Sequence, residues 1–186
     1  MSAKHNEMKD FRAEDDRAAR YQTVALHALA RLSGGDIRPK TVHRLRTHLR
    51  RLQAYLELVG EDRNAQIMAK CVSRLSPLRT LQVFERYLSR LGASKSDVRR
   101  IKDRIRRRRA NLDRKQVYRK IERRVRRHAL PPTPASPDWM AGRMERLRRE
   151  HAKTLHDLIT EARANSQRKT LHALRLTIKS IRYQEE

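Results

Sequence analysis

A chain of 186 residues suffices for one domain or two small ones, but only 38% of it is hydrophobic, so its apolar side chains must be well patterned to close a core. Forty-six Lys and Arg against 21 Asp and Glu leave a net charge of +25, a self-repulsion that a polyanionic partner would relieve. The lone Cys71 excludes an intrachain disulfide, and neither a transmembrane-length apolar run nor a signal-peptide core is present, so a cytoplasmic protein with no membrane partner is expected.

Apolar residues recur at helical spacing nearly everywhere, and no alternating strand pattern competes with them. An all-α helical bundle is therefore predicted. The first helix spans about Glu7 to Leu32 and ends at Ser33-Gly34-Gly35. The second spans about Arg38 to Val59, with Gly60 as its stop signal. A third, Glu61 to Leu91, is expected to break or kink near Pro77 before Gly92 closes it. Ser94 and Ser96 offer N-caps for a basic helix over about 94–127. Val98, Ile101, Ile105 and Leu112 form one stripe on it, and Val117, Ile121 and Val125 form another, rotated by about 140°. Either the helix breaks around Asn111–Lys115, or it buries different faces against different neighbours. Four of the six prolines fall between His128 and Pro137, marking a linker over 131–137. Ser136 and Pro137 suit an N-cap and first helical position for a helix to about Ala164. A last helix runs to the chain end.

The second and last helices share a pattern. Thr41-Val42-His43-Arg44-Leu45-Arg46-Thr47-His48-Leu49-Arg50 is echoed 129 positions later by Thr170-Leu171-His172-Ala173-Leu174-Arg175-Leu176-Thr177-Ile178-Lys179. In each, a His, an Arg three residues on and a cation seven residues on fall within an arc of about 60°. Leu45, Leu49, Leu52 and Leu56 lie opposite, as do Ile178 and Ile181, with Leu174 beside them. One cationic stripe is ordinarily the solvated face of an amphipathic helix. Two matching copies, free of carboxylates, argue for an anion between them. The first patch comprises His43, Arg46 and Arg50, flanked by Arg51; the second comprises His172, Arg175, Lys179 and Arg182. Arginine grips phosphate oxygens in a bidentate fork, lysine supplies a mobile charge, and imidazole donates hydrogen bonds. The repeat divides the chain into a first unit over 1–130 and a partial second unit over 138–186. Either the plan is shortened, or another protomer supplies the missing surface as a homo-oligomer.

Between Val98 and Arg127 the net charge is +13. The run Arg106-Arg107-Arg108-Arg109 exceeds one helical turn and cannot all face one ligand, so it reads as a diffuse electrostatic field. Catalytic signals are absent: there is no phosphate loop, dinucleotide fingerprint or nucleophile elbow. His151 and His156 miss the spacing of a helical metal pair. No catalytic residue, metal or cofactor is expected. Aromatic residues make up 4% of the chain and sit mostly in apolar stripes, so base-stacking platforms are scarce and core packing is the better reading. Backbone-only binding of RNA or DNA stays open, since phosphate is phosphate.

His43-Arg44-Leu45-Arg46 with Leu49-Arg50-Arg51-Leu52, followed by Leu171 through Tyr183, resembles the CHAD family, the conserved histidine α-helical domain. The second segment is similar to that family's His-x-x-Arg-Ile-x-x-Lys-x-x-Arg-Tyr helix, and Glu186 falls at its trailing Glu. Leu75-Ser76-Pro77-Leu78-Arg79-Thr80-Leu81-Gln82-Val83 resembles a worn Leu-Gly-x-x-Arg-Asp-x-Asp-Val segment. The resemblance spans about Val42 to Glu186. It implies two pseudo-symmetric helical bundles around a basic cavity that binds inorganic polyphosphate without catalysis, with association to polyphosphate granules as one setting. Its ligand-facing set would be His43, Arg46, Arg50, Arg51, Arg79, His172, Arg175, Lys179 and Arg182. Departures are Gln53 for a cation, and Thr80 and Gln82 for two aspartates. The cation crowd is expected to keep both motif imidazoles neutral when empty, and binding to tighten as pH falls through about 6.5.

Overall fold

The computed structural model describes residues 2–131, 136–165 and 167–185; residues 132–135 of the proline-rich linker and Glu186 lie outside the described residues. The described residues form helices only: α1 (Ser2–Ser33), α2 (Pro39–Leu58), α3 (Asp62–Arg90), α4 (Lys95–Arg114), α5 (Val117–His128), α6 (Pro137–Ala164) and α7 (Arg168–Glu185). The chain is an all-α bundle, as its periodicity predicts.

Helix α2 is the central element, packed against α1, α3, α6 and α7. Its stripe Leu45, Leu49, Leu52 and Leu56 is wholly buried. Leu29 and Leu32 of α1, Met68, Leu75 and Leu78 of α3, and Ile121 and Val125 of α5 complete the same core. Leucine at i, i+4, i+7 and i+11 keeps one narrow face turned inward, which turns the His43 side of the helix outward. Asp36 pins the α1–α2 turn, accepting hydrogen bonds from Arg31 Nε and Arg38 Nε, each at 2.8 Å. Those guanidiniums hold its carboxyl well below the usual range, against an opposing effect of burial.

Of the break or kink expected near Pro77, the break does not occur: helix α3 continues through the proline. The proline deprives the Ser73 carbonyl of its helical donor, but both residues are solvent-exposed, so water can serve that oxygen. The basic segment is two helices and not one over 94–127. They meet at Lys115 and Gln116, where Gln116 takes a left-handed conformation at φ 50° and ψ 39°. The break reconciles the two stripes. Leu112 of α4 and Val117, Tyr118, Ile121 and Val125 of α5 all reach the core, although they lie on different faces of a continuous helix. Ser94 caps α4 by accepting from the Asp97 N–H at 3.1 Å, and Ser136 caps α6 by accepting from the Trp139 N–H at 3.4 Å.

Helices α6 and α7 pair with each other and dock on α2. The docking point is the α2–α3 turn. Gly60 there has φ +78°, left-handed backbone that favours glycine, and a Cβ on it would lie 2.7 Å from Cη2 of Trp139. Nearby, Arg143 Nη2 donates to the Glu57 carbonyl at 3.4 Å and lies 3.8 Å from the Asp62 carboxylate. Helix α7 is covered less well than α2. Ile178, at the position in the repeat corresponding to the fully buried Leu49, is 52% exposed. Leu49→Ala should therefore cost about 2–5 kcal/mol of unfolding free energy, and Ile178→Ala about 1 kcal/mol or less, compared by urea midpoints.

Candidate functional site: a cationic groove between three helices

The outward face of α2, the C-terminal half of α3 and the near face of α7 enclose a groove of about 580 Å³. Helix α2 supplies His43, Arg46, Thr47 and Arg50; α3 supplies Arg79; α7 supplies His172, Arg175 and Lys179. No carboxylate stands among the described lining residues. A second hollow of about 410 Å³ shares Arg50, Leu176, Lys179 and Tyr183 with the first and extends it along α2 to Gln53 and Glu57. The trough is thus cationic at one end and ends beside a carboxylate at the other. Gln53 donates to that carboxylate, Glu57 Oε1, at 2.8 Å.

The electrostatics are those of like charges held together. Arg46 is pulled down to about 10, first by burial, then by Arg50 and Arg79, with Tyr183 opposing. Its Nη2 donates to Ser76 Oγ at 3.2 Å, while its Nε is buried with no protein acceptor. Ser76 in turn donates to the Val72 carbonyl at 2.9 Å, which anchors the arginine to α3. Desolvation, then the charges of Arg79, Arg46, Lys179 and Arg50, holds the His43 imidazole below its ordinary value. Lys179 is lowered likewise by desolvation and then by Arg175, Arg50, Arg182 and Arg46. Arg79 is lowered by desolvation and by Arg86. Each shift reports a proton, or a charge, that an anion in the groove would stabilise.

Seven of the nine residues singled out in the sequence line this groove. Arg51 does not: it lies 5.2 Å above the Tyr21 ring, directed toward α1. Arg182 sits 5.0 Å from the Tyr183 ring and acts on the groove through its charge on Lys179. Gln82, one of the two positions where the resemblance implies an aspartate, is buried and donates to the Ile37 carbonyl at 3.3 Å, so it braces the start of α2. Thr80 lines the groove without a charge. Phe84 and Tyr87 correct the expectation that aromatics pack in the core. They line the groove and are 48% and 58% exposed. Their spacing from Thr80 was the available signal, since Phe84 four residues on and Tyr87 seven residues on keep to one side of α3.

Among the described residues, no group of three or more His, Cys, Asp or Glu could hold a metal ion, and no helix is long and apolar enough to cross a membrane. Cys71 is buried, and burial pushes its thiol up. The arrangement is suited to gripping a multiply charged oxyanion along the line where α2 faces α7. The CHAD domain family matches residues 17–186, nearly the whole chain, and the protein belongs to that family. No curated protein and no solved structure matches it.

The shifts fix a pH dependence for the empty protein. His43, His48 and His128 are all held below their ordinary value, with desolvation the leading cause in each. The unfolded chain takes up these protons near about pH 6.5, before the folded chain does. Stability from these groups is therefore full above that pH and is lost as pH falls below it. Without any polyanion, the thermal midpoint should drop between about pH 7 and about pH 5, and His43→Gln should make the drop shallower in circular-dichroism melts.

Proposed function

We propose that this protein binds inorganic polyphosphate along the groove between α2, α3 and α7, and that it acts by binding and not by catalysis. The observation that carries the proposal is the convergence of His43, Arg46, Arg50, Arg79, His172, Arg175 and Lys179 on one groove with no carboxylate among its described lining residues. Family membership supports the same ligand, because the CHAD resemblance implies a basic cavity for polyphosphate. A flexible, unbranched polyanion can follow a trough, and its regularly repeated charges suit cations that arrive every three or four residues along facing helices. Arg46 and Arg175 supply forked donors from opposite walls, Lys179 adds a mobile ammonium, and His43 donates one N–H when neutral and two when protonated.

Anion binding raises the His43 imidazole from its suppressed value, so binding takes up protons in the range between the empty and the loaded values. Affinity should be greatest below that range and decline as pH rises through the loaded value, and His43→Gln should flatten the dependence. Calorimetric titration with long-chain polyphosphate at several pH values measures both. At fixed pH, Arg46→Ala/Arg175→Ala should weaken binding by about a hundredfold or more, and affinity should fall steeply with added salt. Unchanged affinity in that double variant would sink the proposal.

Exposed Phe84 and Tyr87 favour a second reading, in which the groove takes single-stranded nucleic acid with bases stacked on the two rings. The two readings separate cleanly. Phe84→Ala/Tyr87→Ala should leave polyphosphate binding within about twofold, because a phosphate chain has no π-face, but should weaken a stacked oligonucleotide by about tenfold or more.

A further inference from the structure

A second cluster of cations lies on the other side of α3. Arg74 and Arg79 are five residues apart on that helix, which rotates them by about 140°. Arg79 faces the groove, and Arg74 lines a separate cleft of about 270 Å³ with residues of α4 and α5. Arg108 and Asn111 enter it from α4 at i and i+3, Lys115 from the junction between α4 and α5, and Lys120 from α5. The three helices pack pairwise on one another, so the cleft is walled by the fold and not by one flexible stem.

Within the four-arginine run the side chains have different fates. Arg106 is spent on Asp103, and Arg107 is exposed. Arg108 is half-buried, lines the cleft, and keeps a buried Nε with no protein acceptor. Asn111, one turn on, likewise has a buried Oδ1 without a partner, in an amide whose other end is a donor. Three of the four acidic side chains of α4 and α5, Asp97, Asp103 and Glu122, could have neutralised these cations, yet they pair elsewhere. Asp97 meets Arg100 at 3.8 Å, and Glu122 meets Arg126 at 2.8 Å. No acidic residue is among the described residues lining the cleft. Four cations drawn from three helices and the α4–α5 junction, with a buried guanidinium N–H left unanswered, leave an excess of positive charge of the kind that an oxyanion neutralises. The described lining holds no aromatic side chain, and the volume accommodates a few phosphoryl groups and not a base pair, which favours an inorganic oligophosphate over nucleic acid.

The geometry points to a second phosphoryl-binding site in the α3/α4/α5 cleft, built by Arg74, Arg108, Asn111, Lys115 and Lys120, that takes a short segment of inorganic oligophosphate. It is independent of the groove, and stands or falls without it. With both sites filled, one molecule holds two polyphosphate segments on opposite faces of α3, and so bridges chains.

The test is calorimetric titration of the full chain with tripolyphosphate, read for stoichiometry as well as affinity. Arg46→Ala/Arg175→Ala disables the groove, Arg108→Ala/Lys120→Ala disables the cleft, and Arg99→Ala/Arg107→Ala removes the same charge from exposed positions of α4. Because Arg108 is half-buried, Lys115→Ala/Lys120→Ala, at two exposed residues, serves as a second cleft variant. The cleft variants should lose one class of site or weaken it by about tenfold or more, leaving the other class unchanged. The groove variant should retain the cleft class, and the exposed-charge control should retain both. Equal losses in the control and the cleft variants would reduce the cleft to diffuse charge and overturn the proposal. A cleft variant with unaltered stoichiometry and affinity would do the same. A duplex DNA competitor, matched in phosphate, should displace tripolyphosphate from the groove variant poorly; equal displacement would overturn the assignment to oligophosphate.

Discussion

Burial of the leucine stripe on α2 is the constraint from which the rest of the molecule follows. Leu45, Leu49, Leu52 and Leu56 are fully withdrawn from water among side chains of α1, α3 and α5. Fixing that face inward leaves no rotational freedom to the residues opposite. His43, Arg46 and Arg50 must then project toward α3 and α7, although their mutual repulsion would drive them apart on an isolated peptide. The hydrophobic effect is non-directional, but applied to a helix it becomes an aiming device. Arg46 is the clearest case, since it is held against Ser76 with its Nε buried and without an acceptor, at a proton affinity pulled down to about 10.

A protein of net charge +25 can place its cations in two ways, and this one uses both. Some cations are balanced within a helix, as Arg100 and Arg126 are by Asp97 and Glu122. Others are gathered into concave places that carboxylates do not line. Cations spread over an exposed surface are screened within about 10 Å by salt, whereas those in a walled cleft are screened less and lose part of their hydration. The proton affinities of Arg46, His43 and Lys179 are lowered in the direction that this loss of hydration and crowding of charge requires. The empty fold stores electrostatic strain in such places, and the leucine core offsets it.

The sequence discloses the groove to the extent that helical period determines direction. His43, Arg46 and Arg50 are legible because the leucines opposite them are unambiguous, and their α7 counterparts are legible by repetition. Arg51 is not, because one residue's rotation past Arg50 carries it over Tyr21, a neighbour on α1 that periodicity cannot reveal. Phe84 and Tyr87 fail for a related reason. An apolar stripe says that a helix could be covered there, but not whether a covering element exists, and the C-terminal half of α3 borders an open groove instead. The break between α4 and α5 shows in the rotated stripes, which put it around Asn111–Lys115, next to the observed junction at Lys115 and Gln116; the left-handed backbone of Gln116 does not show, since it lacks the glycine or asparagine that commonly signals it. At Pro77 the sequence leaves break and kink open, and the helix continues, since a proline is tolerated where the orphaned carbonyl faces water.

Gly60 lines neither the groove nor the α3/α4/α5 cleft, yet it bears on how the groove's walls are seated. The indole of Trp139 rests where a side chain at position 60 would have to be. Through that contact α6 is seated on the α2–α3 turn, and α7, paired with α6, is carried into register beside α2. The paired helices are thus seated at a point where the chain carries no side chain. Any larger residue at position 60 would shift that seat and, some helical turns away, change the opening between Arg46 and Arg175 without touching either. The seating of the charged helix α7 thus involves an uncharged residue, at a position where even a Cβ would meet the indole.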